Sequence, residues 1–385
     1  MGLYYFADCG YGNADSSRRA ALSGIHKSQY ISRLLHDIGV QWTSVAVSFS
    51  CGQKGKKAME CRGEFGEQVI ISPMLPYRTK MGQILAKVYQ RAWLCLFFLT
   101  RIQEDDVVVV YHALNKLIPL WVLRKVKKTS VILEVEEIYG AISPAMSSVK
   151  KKIERAVIQL ADGYIFPNQS LFDYIDDKTK PFCVVEGNIS LQKKVTAPPE
   201  DGQIHVVYAG ILNHDKGAAI ITKIAECLSE KYVVHVIGHG EPQEIERLSK
   251  DIDAYNAHCK NTASVIYDGE KKGDDFVAYL QRCHVGLCPQ IVTENYNDAS
   301  FPSKISTYLA NGLRVVATDT RAIRESRLSE LIEVAPYEPE AIAKAIEGID
   351  FSAPLRADEV LSEVRAEQLK EMKTVFSAVR ERSTA

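Results

Sequence analysis

The sequence predicts an α/β protein built from two parallel-sheet domains joined by a linker. Three observations predict it. Strand-length apolar runs alternate with amphipathic helical stretches through both halves of the chain, which gives βαβ units and parallel sheets. The run Asp106–Tyr111 (DVVVVY) is continuously apolar over four valines, as in a strand covered by helices on both faces. Between the halves, Leu191–Gly202 (LQKKVTAPPEDG) is rich in proline and charge and interrupts the pattern.

At 385 residues the chain is long enough for two cores. Hydrophobic content of 46% and charged content of 25% are those of a soluble globular protein. The nine cysteines are scattered, form no CxxC or zinc-ligand spacing, and read as reduced thiols of a cytoplasmic protein. Gly2–Ala7 reads as a strand rather than a signal peptide. No run of about 18 apolar residues exists, so no spanning helix is expected. Residues 1–190 hold 24 Lys+Arg and 18 Asp+Glu, a balance of +6; the rest hold 23 and 30, a balance of −7. A basic first half suits an anionic membrane or an acidic substrate, unless the split is chance. Basic residues are not interleaved with aromatics on a recognisable module, so nucleic acid is not an expected partner.

In the first half, Leu3–Ala7 is a strand and Asp8–Ser23 a glycine-containing loop. A helix opens at Ser23-Gly24, with Ile25, Tyr30, Ile31, Leu34, Leu35 and Ile38 at helical spacing, and closes at Gly39. Val40–Phe49 and Gln68–Ile71 follow as strands. Tyr77–Arg101 is a long helix, basic and amphipathic at first and apolar all round over Ala92–Leu99 (AWLCLFFL). It fits either a membrane interface or the domain core. The DVVVVY strand ends at His112, and a helix runs on to Lys128. Ser130–Glu134 is a strand leading to Glu136 and Glu137, Lys150–Ala161 a helix, Gly163–Pro167 a strand, and Val184–Asn188 a last strand and turn. His112, Glu136 and Glu137 thus stand at strand carboxyl ends, where parallel sheets place functional groups. A buried structural histidine is the other reading of His112.

The second half starts with strand Ile204–Ala209 and loop Gly210–Gly217 (GILNHDKG). Next come helix Ala218–Glu230, strand Tyr232–Ile237 and Gly238-His239-Gly240. Helices at Glu244–His258 and Asp274–Arg282 alternate with strands Val265–Tyr267 and Val285–Pro289. Glu294–Gly312 (ENYNDASFPSKISTYLANG) then crosses a polar loop, enters a helix at Pro302 and stops at Asn311-Gly312. Free N–H groups, a positive dipole end, Ser303 and Lys304 make that helix start an anion site. Strand Arg314–Thr318, strand Leu331–Val334, helix Pro339–Ile349 and an amphipathic helix over Asp358–Arg382 complete the chain.

The order strand, Gly210-x-Leu-x-x-x-Lys216-Gly217, helix, strand, Gly238-x-Gly240, then a Phe301-Pro302-Ser303-Lys304 helix ending Asn-Gly resembles the family 4 retaining glycosyltransferases. The resemblance is strong over 204–320 and loose over 1–190. It implies a GT-B architecture, two Rossmann-like domains facing a cleft with a C-terminal helix crossing between them. The implied domains are 1–190 for the acceptor, a linker at 191–203, 204–354 for the nucleotide-sugar donor and a helix at 355–385. It also implies transfer of a sugar from a nucleotide-diphosphate donor to a glycan or lipid-linked acceptor. Surface polysaccharide synthesis, at the inner face of the cytoplasmic membrane with peripheral membrane contact, is the expected setting. The chain departs from the family at Ile211, where an arginine is usual, and at Ala299 and Thr307, where glutamates are usual. A non-catalytic GT-B-like scaffold and a UDP-sugar epimerase using Glu136, Glu137 or Glu186 are the alternatives.

The chemistry then needs groups that receive negative charge on the leaving diphosphate. Lys216, Ser303, Lys304 and the helix N–H groups are suited to this, and no Asp-x-Asp motif calls for a metal, so no cofactor is expected. His112, Lys216 and Asp298 are the expected catalytic residues. Gly24, Gly210, Gly238, Gly240, Ser303, Lys304 and Thr307 are the expected donor contacts.

Overall fold

The computed structural model describes residues 2–7, 18–19, 22–47, 49–50, 55–143, 145–212, 217–291 and 301–384. The chain divides into two compact units, Met1–Val185 with Ala366–Ala385, and Glu186–Arg365. The segment 191–203, expected as a linker, belongs to the second unit. There the buried Gln281 holds it: Oε1 accepts from Val195 N–H at 2.8 Å, and the side-chain amide donates to Lys193 O at 2.9 Å. Proline and charge mark a linker by composition alone, and composition does not reveal such an anchor.

The first unit runs β1 (Leu3–Ala7), β2 (Arg18–Arg19), α1 (Leu22–Asp37), β3 (Thr43–Ala46), β4 (Phe49–Ser50), β5 (Met59–Arg62) and β6 (Gln68–Ile71). It continues with α2 (Lys80–Arg101), β7 (Val107–Tyr111), α3 (Leu117–Trp121), β8 (Ser130–Glu134), α4 (Tyr139–Ile142), α5 (Ser148–Gln159), β9 (Gly163–Phe166) and β10 (Phe182–Val184). Eight strands form one sheet in the order β10-β9-β8-β7-β1-β3-β6-β5, parallel except for β5, and β2 pairs with β4 separately. The edge strand β5 is missing from the sequence reading. Its residues alternate between exposed and half-buried, with Glu60 and Arg62 outward, so it lacks the apolar run of an inner strand.

The valines of β7 are all buried. Helix α1 buries Tyr30, Ile31, Leu34 and Leu35, and Gly39, at φ +75°, ends it in the left-handed conformation expected of a helix-terminal glycine. The single helix expected from His112 to Lys128 is broken instead. A 3₁₀ turn at Leu114–Lys116, α3, and a π-helical turn at Val122–Val126 replace it. Pro119 has no N–H for the carbonyl four residues back, so a regular ladder cannot run through it.

The second unit contains β11 (Ile204–Ile211), α6 (Ile221–Cys227), β12 (Tyr232–His239), α7 (Pro242–His258), β13 (Ser264–Tyr267) and α8 (Gly273–Leu280). After these come β14 (Val285–Cys288), α9 (Ser303–Ala310), β15 (Arg314–Thr318), α10 (Arg321–Arg324), β16 (Ile332–Ala335) and α11 (Pro339–Glu347). Its six strands are all parallel, in the order β13-β12-β11-β14-β15-β16. Counted from the start of the unit this is 3-2-1-4-5-6, the doubly wound order of nucleotide-binding sheets, and it reverses between β11 and β14.

The last helix, α12 (Ala357–Thr384), has Ala357–Arg365 in the second unit and the remainder in the first. In the first unit Met372, Val375, Phe376 and Val379 are buried, Tyr30 Oη donates to Gln368 Oε1 at 2.7 Å, and Glu371 accepts from Val184 N–H at 3.1 Å. Gly163 is glycine because Val379 lies where its Cβ would be, at 2.8 Å. Phe376→Ala should therefore lower the denaturant-unfolding free energy of the first unit by about 3–5 kcal/mol. Exposed Lys373→Ala, measured alongside, should change it by less than about 0.5 kcal/mol.

Candidate functional site

In open parallel sheets, ligands bind beyond the carboxyl ends of the strands where the order reverses. In the second unit those ends are β11 and β14. The sequence places Gly210 and Gly238 in loops after their strands. The structure corrects this: both lie within strands, and Gly210 pairs with Gly238, then Ile211 with His239. The reason is the missing Cβ. Gly238 has φ +149°, and a Cβ there would lie 1.8 Å from Gly210 O. Gly240 follows under the same constraint, since its Cβ would lie 2.5 Å from Leu212 O.

Helix α9 leads from β14 to this edge. It starts at Ser303, with Pro302 as the extended N-cap residue (φ −70°, ψ 106°) rather than the first helical residue. Its end fits the Asn-Gly expectation: Leu313 N–H bonds to Tyr308 O at 3.1 Å and Gly312 N–H to Leu309 O at 3.0 Å, with Gly312 at φ +79°. Tyr308, fully buried, fixes the helix on the sheet. Its hydroxyl donates to Leu287 O at 3.3 Å and accepts from Ala209 N–H at 2.8 Å, and Gly286 leaves room for its ring.

So held, Lys304 projects over the end of β11. Its Nζ lies 3.9 Å from the centre of the Tyr208 ring, and a Cβ on Gly210 would lie 2.6 Å from its Cε. Its charge also acts on the Cys288 thiol at the end of β14, partly opposing the rise in pKa that burial causes. Gly210, Gly238, Gly240 and Lys304 thus meet at the point where the sheet order reverses. Ser303 is exposed at the helix start. Thr307 is half-buried and its hydroxyl donates to Ser303 O at 3.1 Å, one turn back in the same helix. Lys216 and Asp298, with Glu294 and Ala299, lie outside the described residues.

In the first unit, His112 follows β7 beside the central strand β1. It is 1% exposed, its ring stacks on Tyr139 at 5.0 Å, and among the described residues neither ring nitrogen has a hydrogen-bond partner. Glu154 Oε1 stands 3.7 Å from Nε2, while its two oxygens accept from Tyr139 N–H and Gly140 N–H at 2.7 Å each. Burial lowers the His112 pKa to about 4, only partly offset by the Glu137 backbone, so the imidazole is neutral. Gly24 sits in the first turn of α1, and no described atom lies within 4 Å of where its Cβ would be. Packing among those residues does not demand glycine there.

The acids considered for epimerase chemistry are engaged. Glu136 Oε1 is 3.0 Å from the buried Lys27 Nζ, which also donates to Val185 O at 2.8 Å. Glu186 is buried and bonds Arg327 through its backbone N–H at 3.0 Å and its Nε at 3.1 Å. Glu134, fully buried at the end of β8, escapes the sequence reading. Burial, and then the charge of Glu136, push its pKa up, and it accepts from Tyr5 Oη at 2.7 Å. It reads as the last residue of a core strand, and nothing local marks it.

Residues 203–349 match the family model described as glycosyl transferases group 1. The matched stretch runs from β11 to α11 of the second unit. Solved structures similar over the whole chain include one from E. coli described as trehalose-6-phosphate bound with UDP-2-fluoro glucose. It has a TM-score of 0.70 and 12% identity, over 99% of each chain. An α,α-trehalose 6-phosphate synthase from Burkholderia multivorans has a TM-score of 0.66 and 13% identity, over 99% of this chain and 96% of that one. One from Burkholderia xenovorans in complex with glucose-6-phosphate has a TM-score of 0.65 and 11% identity, over all of both chains. The chain has the GT-B fold. No curated protein sequence matches it significantly. These matches support a GT-B glycosyltransferase and do not single out family 4.

Within this GT-B chain the Gly210–Gly238 contact and the buried His112 each give a test. Gly238→Ala should lower the unfolding free energy by about 3 kcal/mol, read as a fall in Tm, because strain at φ +149° adds to the clash with Gly210 O. For His112, the unfolded chain takes up a proton near pH 6.5 and the folded chain only near pH 4. The folded state therefore loses stability as pH falls between those values, by on the order of 3 kcal/mol. His112→Gln should remove most of that dependence in unfolding curves recorded across the window.

Proposed function

We propose that the protein transfers a glycosyl group from a nucleoside-diphosphate sugar to an acceptor hydroxyl. The observation that carries this reading is Lys304, held above Gly210 where the order of the second sheet reverses. The bond that breaks joins the anomeric carbon to the diphosphate, and the leaving oxygen gains negative charge. Lys304 and the positive end of the α9 dipole meet that charge without a metal. The glycines at 210, 238 and 240 keep side chains away from the strand ends, so the nucleotide approaches backbone. Lys216 and Asp298 complete the donor contacts in this reading, and His112, neutral, donates to or accepts from a sugar hydroxyl.

The similar solved structures described with UDP-2-fluoro glucose and with glucose-6-phosphate make UDP-hexose the first donor to try and a sugar phosphate the first soluble acceptor. One similar structure is described in terms of glycosyltransfer with retention, which favours a retaining outcome here as well. A lipid-linked acceptor in surface polysaccharide synthesis, by a cytoplasmic enzyme at the membrane's inner face, is the second reading. It is favoured by the basic, apolar surface of α2.

The test is nucleotide release from a panel of UDP-, GDP- and CMP-sugars, with and without acceptor, together with thermal shift on nucleotide addition. Release should occur with at least one donor. Absence of both release and stabilisation with every nucleotide would favour a non-catalytic scaffold, and conversion of a donor without acceptor would favour an epimerase. Lys304→Ala should weaken nucleoside-diphosphate binding about tenfold or more, the loss of one charge-assisted contact. Thr307→Ala should weaken it less, because its hydroxyl already bonds within the helix. Equal or reversed losses in a titration would move the donor elsewhere.

A further inference from the structure

Helix α2 presents a surface that the transfer reaction does not use. One face packs into the first unit through Gln90, Leu94, Phe97 and Phe98. On the other face Met81, Ile84, Leu85, Val88, Leu96 and Leu99 are 45–66% exposed. At the helical repeat they fall within an arc of roughly 120°. The neighbouring helical stretch adds Ile118, Trp121 and Val126, each more than half exposed. One face of the helix thus packs in the core, as one reading of the sequence has it, and the other faces solvent.

The charge that these two stretches themselves carry is of one sign, with Arg124 paired to Asp162 from outside them. Residues 76–103 contain Arg78, Lys80, Lys87, Arg91 and Arg101 and no acid. Residues 113–133 contain Lys116, Arg124, Lys125, Lys127 and Lys128 and no acid. Lys80, Lys87 and Arg91 run along one border of the apolar arc. Beside them a pocket of about 340 Å³ is lined by Tyr77, Gln83, Lys87, Gln90, Arg91 and Asn115 among others. Arg91 Nε and Asn115 Oδ1 are buried with no hydrogen-bond partner among the described residues.

An apolar stripe bordered by cations suits a surface that is apolar inside and anionic outside. A second copy of this chain would oppose cations to cations across the contact. No described helix is long and apolar enough to cross a membrane, and α2 has one face committed to its own unit, so it would lie along a surface. We propose that α2 docks the protein on an anionic lipid bilayer, with its apolar stripe at the level of the acyl-chain ends and Lys87 and Arg91 on lipid phosphates. This goes beyond the transfer reading and stands whether or not the donor site works.

The full chain is sedimented with vesicles of phosphatidylcholine alone and of phosphatidylcholine with phosphatidylglycerol. It should partition onto the anionic vesicles at least about tenfold more than onto the neutral ones, and high salt should reduce that partition. The double variant Leu85→Glu, Val88→Glu changes only exposed positions and should bind anionic vesicles about tenfold less or weaker still, with an unchanged Tm. Lys87→Glu should act in the same direction. No binding to anionic vesicles, equal binding to both kinds, or undiminished binding by the double variant would overturn the proposal. Donor-induced thermal shift on the same samples reports on the transfer reading separately.

Discussion

The second unit depends on two strands that stay paired to their last residues. A Cβ on Gly238 would lie 1.8 Å from Gly210 O, so only glycine permits β11 and β12 to remain in register through Ile211 and His239. The position of Lys304 follows from that. Tyr308 bonds to Ala209 N–H on β11 and to Leu287 O on β14, which sets the height and rotation of α9 against both strands. With the helix so fixed, the Lys304 side chain lies against Gly210 and over the Tyr208 ring. Any larger residue at 210 would displace it. The cation at the reversal of the sheet order is thus a consequence of glycines and one buried tyrosine, set before any ligand arrives.

Much of this was legible where the chemistry is local. Asn311-Gly312 ends a helix because the left-handed residue and its two returning hydrogen bonds involve only neighbours in sequence. The valine run and the doubly wound alternation gave both sheets. What was not legible depends on distant partners. Gly210 and Gly238 look like loop residues until their pairing is known. Tyr208 and Tyr308 sit in apolar segments and look like core, yet one lies beneath the lysine and the other anchors its helix. The segment 191–203 looks like a linker because its anchor, Gln281, is some eighty residues away. The break at Pro119 was local, but an apolar stretch with helical spacing outweighs one proline in a reading by periodicity.

The first unit gathers ionisable groups where its strands end and then neutralises or pairs them. Lys27 faces Glu136, Glu134 is pushed toward its protonated form and bonded by Tyr5, and His112 is held uncharged. A neutral imidazole both donates and accepts, as a hydroxyl does. In the proposed reading, charge is supplied at the start of α9 and neutral hydrogen bonding at the strand end of the first unit.

The same separation bears on the departures from family 4. A glutamate at 307 would give a carboxylate for a ribose hydroxyl. Thr307 offers one hydroxyl, and its hydrogen already goes to Ser303 O. Its free lone pairs still accept, but it cannot donate without releasing that bond, so its worth to a nucleotide is that of a single neutral hydrogen bond. Lys304 offers a full positive charge, and a charge-assisted contact to an anion is stronger than a neutral hydrogen bond. In the proposed reading, affinity then resides in the diphosphate more than in the ribose.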